Sequence, residues 1–270
     1  AMHLFELGWR PGDRIAFVIN DSRLFVTCFW GCLISGIVPI PLSPLLNREE
    51  DSMEAEKILN VTRLANSPVL IDSRLHPHAD LIEEIAARNG KAVHYADELV
   101  RDARVNGPTY ATERLSSIDA LDIAVLQYSS GSSGQPKGVR LTHRNIIANV
   151  KAQLEFSQAT RDDVLCTWLP YFHDFGLFWG HIFPIYHGIK QVRLDPGHFA
   201  RRPLVWLDKL HEHRATLTNS TPTALKHLID YIELKQRKAP VGPYDLSSLR
   251  ALHVGAEMIN PADCRMAIQL

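Results

Sequence analysis

Cysteine is scarce in this chain, and no two cysteines fall in a Cys-x-x-Cys pair. Four cysteines in 270 residues exclude a disulfide-stapled scaffold and point to a reducing compartment, read here as cytoplasmic. Excess charge is also missing: 29 basic against 30 acidic side chains leave no electrostatic footprint for nucleic acid or an anionic membrane. There is no internal repeat, no low-complexity tail and no visible signal peptide. Residues 1–10 read as the end of a helix, so the chain is expected to begin inside a domain. One uncharged run, Leu24 to Asn47, is long enough to suggest a membrane span, which needs roughly 20 apolar residues. Pro39, Pro41 and Pro44, with Gly31 and Gly36, break it. The run is therefore read as a buried helix capped by Asp21 or Ser22 and ended by Gly36, followed by the strand IVPIPL.

What is present is apolar material: 46% of the chain is hydrophobic, enough for one large domain or two small ones. Cys28 and Cys32, four apart, share a helix face and read as buried thiols. The pairs His76/His78 and His211/His213 have metal-like spacing, but no Cys or carboxylate set completes a site, and solvated or capping roles are expected. Strands and helices alternate along the sequence. RIAFVI, PVLIDS, KAVHYA, DIAVLQY, KGVRLTH, DDVLCTWLP, KQVRLD, ATLTNS and LRALHVG read as strands. Helices are expected over 50–66, with Ile58, Leu59 and Leu64 inward, over HADLIEEIAARNG closed by Gly90, and after Thr142. Further helices are expected over LFWGHIFPIYHG closed by Gly188, over RPLVWLDKLHEHR, after the cap Thr221 with Pro222, and after the cap Asn260. Residues 97–121 read as a polar, irregular excursion, and KGVRLTH as a strand with Val139 and Leu141 on one face. This grammar predicts an α/β fold with largely parallel sheets.

The stretch Ser129 to Gly138 stands apart. Its ten residues hold four serines, three glycines, a Gln, a Pro and a Lys between two apolar strands. It is not a Walker loop, because Pro136 falls where Gly-Lys-Ser/Thr would have to follow Gly131, and it lacks the opening of a dinucleotide fingerprint. Its chemistry still suits an anion. Gly131, Gly134 and Gly138 let backbone N–H groups converge, Ser129, Ser130, Ser132 and Ser133 add hydroxyl donors, and Lys137 adds a point charge. Each charge-assisted hydrogen bond contributes about 1.5–3 kcal/mol. The competing reading is a plain flexible Gly/Ser loop, against which the closing Pro-Lys-Gly and the following strand count.

With these residues in view, YSSGSSGQPKGV resembles the signature loop of the adenylate-forming superfamily: acyl-CoA synthetases, luciferase-like ligases, peptide-synthetase adenylation domains and fatty acyl-AMP ligases. RPGDRIAFVINDS, GCLISGIVPIPLSP, LTHRNI, WLPYFHDFGL and LRALHVGAE are similar to further family segments and stand in family order. The likeness covers nearly the whole chain but only the first part of the family's catalytic domain. YFHDFGL is similar to a run of the fatty acyl-AMP ligase branch, whereas the loop at Gly134 and Lys137 is more like that of CoA ligases and adenylation domains.

The resemblance implies two-step chemistry. A carboxylic acid attacks the α-phosphate of ATP, pyrophosphate leaves, and the acyl group passes to a thiol: the phosphopantetheine of an acyl carrier protein, or CoA. It implies that Ser129 to Gly138 cradle the β- and γ-phosphates with Mg²⁺, and that Lys137 stabilises the departing charge. His173 beside Asp174 would act as a donor near the carboxylate and α-phosphate. Gly255, Ala256 and Glu257 would lie against adenine, and Phe172, Phe178, Trp179, Ser220 and Thr221 would line the acyl pocket. It implies two interleaved subdomains, one sheet from about 1–42 and 165–270 and another from about 43–160. The magnesium acid, the ribose aspartate and a small C-terminal domain are expected only beyond residue 270, so residues 1–270 alone are expected to turn over nothing. An acyl-CoA ligase, an amino-acid-activating domain and a non-catalytic nucleotide-binding module remain as alternatives.

Overall fold

Two all-parallel four-stranded sheets organise the protein, one in each of two units, Ala1–Ile147 and Ala148–Leu270. The computed structural model describes residues 1–45, 48–49, 52–105, 118–129, 137–237, 242–259, 261 and 265. The loop residues Ser130, Gly131, Ser132, Ser133 and Gly134 lie outside them, as do the cap Asn260 and residues 106–117 of the expected excursion.

In the first unit β1 (Arg14–Val18) lies between β2 (Val38–Pro41) and β3 (Val69–Ile71), and β4 (Val93–Tyr95) closes the far edge. Strands buried on both faces read as continuous apolar runs, and Ile15 to Val18 are at most 1% exposed. Two prolines in β2 are compatible with its edge position. The N–H groups of Val38 and Leu42 bond back to Asp13 and Phe17 of the β1 side, so Pro39 and Pro41 fall where an N–H would point away from the sheet. Helix α1 (Met2–Glu6) precedes β1. Helix α2 (Ser22–Ser35) starts where the Asp21 carboxylate accepts the Arg23 and Leu24 N–H groups, at 2.7 and 2.9 Å, and stops at Gly36 with φ 69°. Among the described residues no helix is long and apolar enough to cross a membrane.

Helix α3 (Met53–Ala65) is capped by Ser52. Its buried stripe runs through Ala55, Ile58, Val61, Thr62 and Ala65, which leaves Leu64 off the stripe and 54% exposed rather than inward. Helix α4 (Ala79–Arg88) follows and ends before Gly90. The first part of the expected irregular excursion is instead helix α5 (Ala96–Val105): Ala96, Leu99 and Val100 fall at helical spacing, a period too short-lived to stand out among its charges. Strands β5 (Ile123–Ser129) and β6 (Lys137–Thr142) form an antiparallel pair. Ala124, Val125 and Leu126 are buried, whereas the expected strand β6 is exposed over its first four residues, Val139 at 48%. Cys28, Cys32 and Cys166 are buried free thiols, and burial pushes Cys28 up to about 12.

The expected subdomain partition differs from the observed pairing. β1 and β2 join β3 and β4, with Ala16 against Val69 and Val18 against Ile71, and not the strands after residue 165. Consecutive β-α-β crossovers place successive parallel strands side by side, which favours this arrangement.

In the second unit β7 (Val164–Thr167) lies between β8 (Lys190–Arg193) and β9 (Leu217–Ser220), and β10 (Ala251–Val254) pairs with β9. Helix α6 (His143–Ser157) runs across the boundary, with the Asn145 N–H on Thr142 Oγ1 at 3.2 Å as its cap bond. The apolar segment after His173 is not an α-helix throughout: Phe175–Ile182 forms a π-helix, and only Phe183–His187 (α7) is α-helical before Gly188 at φ 70°. Helices α8 (Pro196–Arg201), α9 (Leu204–Glu212) and α10 (Pro222–Gln236) complete the unit, the last with Thr221 accepting the Ala224 N–H. One ion pair braces it: both Asp163 oxygens accept from Arg250, at 2.9 and 2.7 Å.

Candidate functional site

Each unit holds part of the expected site, the first on the separate two-stranded sheet of β5 and β6. In the first, the register of β5 and β6 pairs Ser129 with Lys137 and Tyr128 with Gly138. Ser129 and Lys137 are thus cross-strand neighbours, and Lys137 is exposed. Gly138 is needed for a local reason: a Cβ there would meet Tyr128 Cζ at 2.9 Å. The glycine lets the Tyr128 ring lie across the strand at the base of the loop.

In the second unit a cleft of about 580 Å³ opens where β10 ends. Crevices outside the carboxyl ends of parallel strands are where open α/β sheets bind ligands. Val254, Gly255 and Ala256 form one side, and Asp174, Phe175, Phe178 and Trp179 of the π-helix form another. Asn149, Gln153 and Phe156, one face of α6, form a third. The structure therefore brings together five residues singled out in the sequence, Asp174, Phe178, Trp179, Gly255 and Ala256.

The wall carrying Asp174 follows from local chemistry. Asp174 caps the π-helix, its carboxylate accepting the Phe175 N–H at 2.7 Å, and His173 Nδ1 lies 2.6 Å from the same carboxylate. The hydrogen bond from His173, followed by the one from Phe175, holds the Asp174 carboxyl below its ordinary value against the upward push of burial. Gly176 makes the turn possible. A Cβ there would sit 2.1 Å from the Pro170 carbonyl oxygen and 2.8 Å from that of Leu169. On the opposite wall Ala256 adopts φ 71°, a conformation that costs a non-glycine residue free energy and that tends to occur at ligand sites.

Other expected residues are placed differently. Phe172, His173, Ser220, Thr221 and Glu257 do not line the cleft. Ser220 is fully buried in β9, and Thr221 caps α10. Glu257 accepts the Thr223 N–H at 3.1 Å and its hydroxyl at 2.5 Å, closing the same helix terminus. Among the described residues no group of three or more His, Cys, Asp and Glu side chains could hold a metal ion. His76 Nδ1 accepts the His78 N–H, and His211 Nδ1 the Asp245 N–H.

The cleft also holds residues that the sequence did not single out. His253 lies against Trp179, ring centroids 4.3 Å apart, and burial pushes its imidazole below its ordinary value, leaving it neutral near pH 7. Asn149, Gln153 and Phe156 recur at helical spacing, a signal present in the sequence but indistinguishable there from an ordinary amphipathic face. The cleft can take an apolar or aromatic group along Phe178 and Trp179, with a polar margin at Asp174, Asn149 and Gln153.

Comparison with known proteins agrees with this architecture. The profile of the AMP-binding enzyme family matches residues 1–270. The medium-chain-fatty-acid–[acyl-carrier-protein] ligase JamA of Moorena producens is 31% identical over 254 residues, covering 92% of this chain and 40% of its own length. The McyG A-PCP structure complexed with phenylalanyl-adenylate superposes with a TM-score of 0.88 at 25% identity, over 99% of this chain and 46% of that one. The fatty acyl-adenylate ligase of L. pneumophila, in complex with acyl adenylate and pyrophosphate, gives 0.77 at 26% identity, over 98% and 44%. The chain thus spans less than half the length of these proteins.

Proposed function

The chain belongs to the AMP-binding enzyme family, and from that premise we propose that the protein activates a carboxylic acid with ATP. A carboxylate oxygen of the acid bonds to the α-phosphorus of ATP, and the bond from that phosphorus to the bridging oxygen breaks. Pyrophosphate carries away the electron pair, leaving an acyl adenylate. In the second step a thiol, the phosphopantetheine of an acyl carrier protein or alternatively CoA, attacks the acyl carbon and AMP departs. A fatty or other apolar acid is the proposed substrate class, with loading onto a polyketide or peptide synthetase as the setting. JamA, itself an acyl-carrier-protein ligase of medium-chain fatty acids, supports this direction.

The observation that supports the reading is the antiparallel pairing of Ser129 with Lys137, the two residues that flank the Ser/Gly stretch in the sequence, with Lys137 exposed. We assign Ser129, Ser130, Gly131, Ser132, Ser133, Gly134, Lys137 and Gly138 to the phosphates of ATP, Gly255, Ala256 and Glu257 to its adenine, and Asp174 and Phe178 to the acid. Two anions must meet in the first step, so charge neutralisation and alignment dominate its barrier. His173, tied to Asp174, would donate to the reacting carboxylate or phosphate oxygen. Mg²⁺ enters with ATP, held chiefly by phosphate oxygens. The described residues offer no cluster of three or more His, Cys, Asp or Glu side chains that fits a protein-bound ion.

Lys137→Ala in the full-length protein should lower kcat/KM for ATP–pyrophosphate exchange by about tenfold or more, the value of one charged hydrogen bond. Activity within about twofold of the parent would remove Lys137 from this role. Residues 1–270 alone should show no exchange above background. One observation favours a second reading, an amino acid as substrate: Asp174 places a carboxylate at the cleft, where it could hold an ammonium. A panel of fatty, aryl and amino acids in the same assay separates the two.

A further inference from the structure

A π-helix closes its turns with longer-range bonds than an α-helix and is rare unless its surroundings hold it. The support for Phe175–Ile182 comes from the edge strand β8. Gln191 Nε2 and Arg193 Nη1 both donate to the Gly180 carbonyl, the latter at 3.4 Å. The same guanidinium donates through Nη2 to the Leu169 carbonyl, and its carbon lies 3.6 Å from the centroid of the Tyr171 ring. Its Nε is shut off from solvent without a hydrogen-bond partner, and among the described residues no carboxylate pairs with Arg193. An arginine kept for an ion pair would have one. This side chain spends its donors on two backbone carbonyls eleven residues apart, Leu169 and Gly180.

Those carbonyls bracket the segment that builds one wall of the cleft. Between them lie His173 and Asp174, then Phe175, Phe178 and Trp179. Both glycines of the helix fit the same plan. Gly176 lies against the Leu169 and Pro170 carbonyls, and a Cβ at Gly180 would meet Arg193 Nη1 at 3.3 Å. A lysine in place of Arg193 would keep the charge but lose the planar fork that reaches both carbonyls.

We infer that Arg193 is a positioning residue: its guanidinium ties the turn before His173 to the wide-turned helix and so fixes the Asp174–Trp179 wall of the cleft. Its consequence for ligand affinity rests on the acyl-adenylate reading given above. The test uses Arg193→Lys and Arg193→Met in the full-length protein, with two measurements: amide hydrogen exchange, and affinity for a non-hydrolysable acyl-adenylate analogue, an acyl-sulfamoyl adenosine. Both variants should raise exchange across residues 169–182 by about tenfold or more while amides of β7 and β9 stay within about twofold. Analogue binding should weaken by about tenfold or more. Unchanged exchange in 169–182, or an equal rise across the whole sheet, overturns the inference, and so does undiminished affinity in a loosened variant. If the Met variant does not fold, Arg193→Lys carries the test. Failure of the parent protein to bind the analogue overturns the acyl-adenylate reading instead, and the exchange comparison then decides the role of Arg193 by itself.

Discussion

Gly176→Ala is expected to destabilise the protein by about 3 kcal/mol, the upper end of the usual cost of overpacking. The added methyl would sit 2.1 Å from the Pro170 carbonyl oxygen, 2.8 Å from the Pro170 carbonyl carbon and 2.8 Å from the Leu169 carbonyl oxygen. All three obstacles are backbone atoms, so no side chain can turn aside, and either the π-helix or the turn at Pro170 must move. That turn is held in place, because the Pro170 carbonyl accepts the His173 N–H and the Leu169 carbonyl accepts from Arg193. The damage should therefore reach the cleft as well as the fold. The melting temperature should fall by about 6–12 °C, and the KM for the acid should rise. Gly180→Ala is the matched control. Its methyl would meet Arg193 Nη1 at 3.3 Å, so the guanidinium need yield by only a few tenths of an ångström and can keep its carbonyl bonds, and the cost should be well under half as large. A Gly176→Ala protein as stable as the parent would show that the turn is not packed as described.

These expectations mark how far the sequence reaches. The caps were legible because they are local chemistry: Asp21 before an apolar run, Thr221 before Pro222, and Gly36 and Gly188 where the chain must enter the left-handed region. The Ser/Gly loop stands out in the sequence because few other structural demands select four serines, three glycines and a lysine in ten residues, but residues 130–136 lie outside the described ones. The π-helix was not, because FGLFWGHI has the same composition and almost the same apolar spacing whether it winds by α or π turns. What selects the wider winding lies outside it, in Gln191, Arg193 and the carbonyls against Gly176. Sheet order was hidden for a related reason. An apolar run such as RIAFV states that it is buried on both faces but not which strands lie beside it. The cleft was half legible: motif residues supplied Asp174, Phe178, Trp179, Gly255 and Ala256, whereas His253, Asn149 and Gln153 come from separate elements that only the fold assembles.

Asp163→Ala should be the most damaging change outside the cleft, costing about 3 kcal/mol, the low end for breaking a buried ion pair because Arg250 retains 39% exposure. Asp163 itself is only 5% exposed. Besides the two bonds from Arg250, its oxygens accept the Thr216 hydroxyl at 2.6 Å and the Thr160 N–H at 2.7 Å. Through them one carboxylate joins the start of β7 to the segments that lead into β9 and β10. Burial alone would raise the Asp163 carboxyl, but the hydrogen bonds from Arg250, Thr216 and Thr160 outweigh it and hold the group below the ordinary carboxylate range. The sign of the pH dependence follows. A carboxyl depressed in the folded state binds its proton more readily when unfolded, so its contribution is complete above the unfolded value of about 3.9 and is lost as pH falls toward the lower folded value. The stability gap between parent and Asp163→Ala, measured by urea unfolding, should therefore be constant from about pH 5 to 8 and narrow below about pH 4. Arg250→Met should reproduce most of that gap and the same acid narrowing, because it removes the principal partner of the same charge. A gap that widens on acidification, or an Asp163→Ala protein within about 0.5 kcal/mol of the parent at pH 7, would mean that this pair does not hold the sheet together.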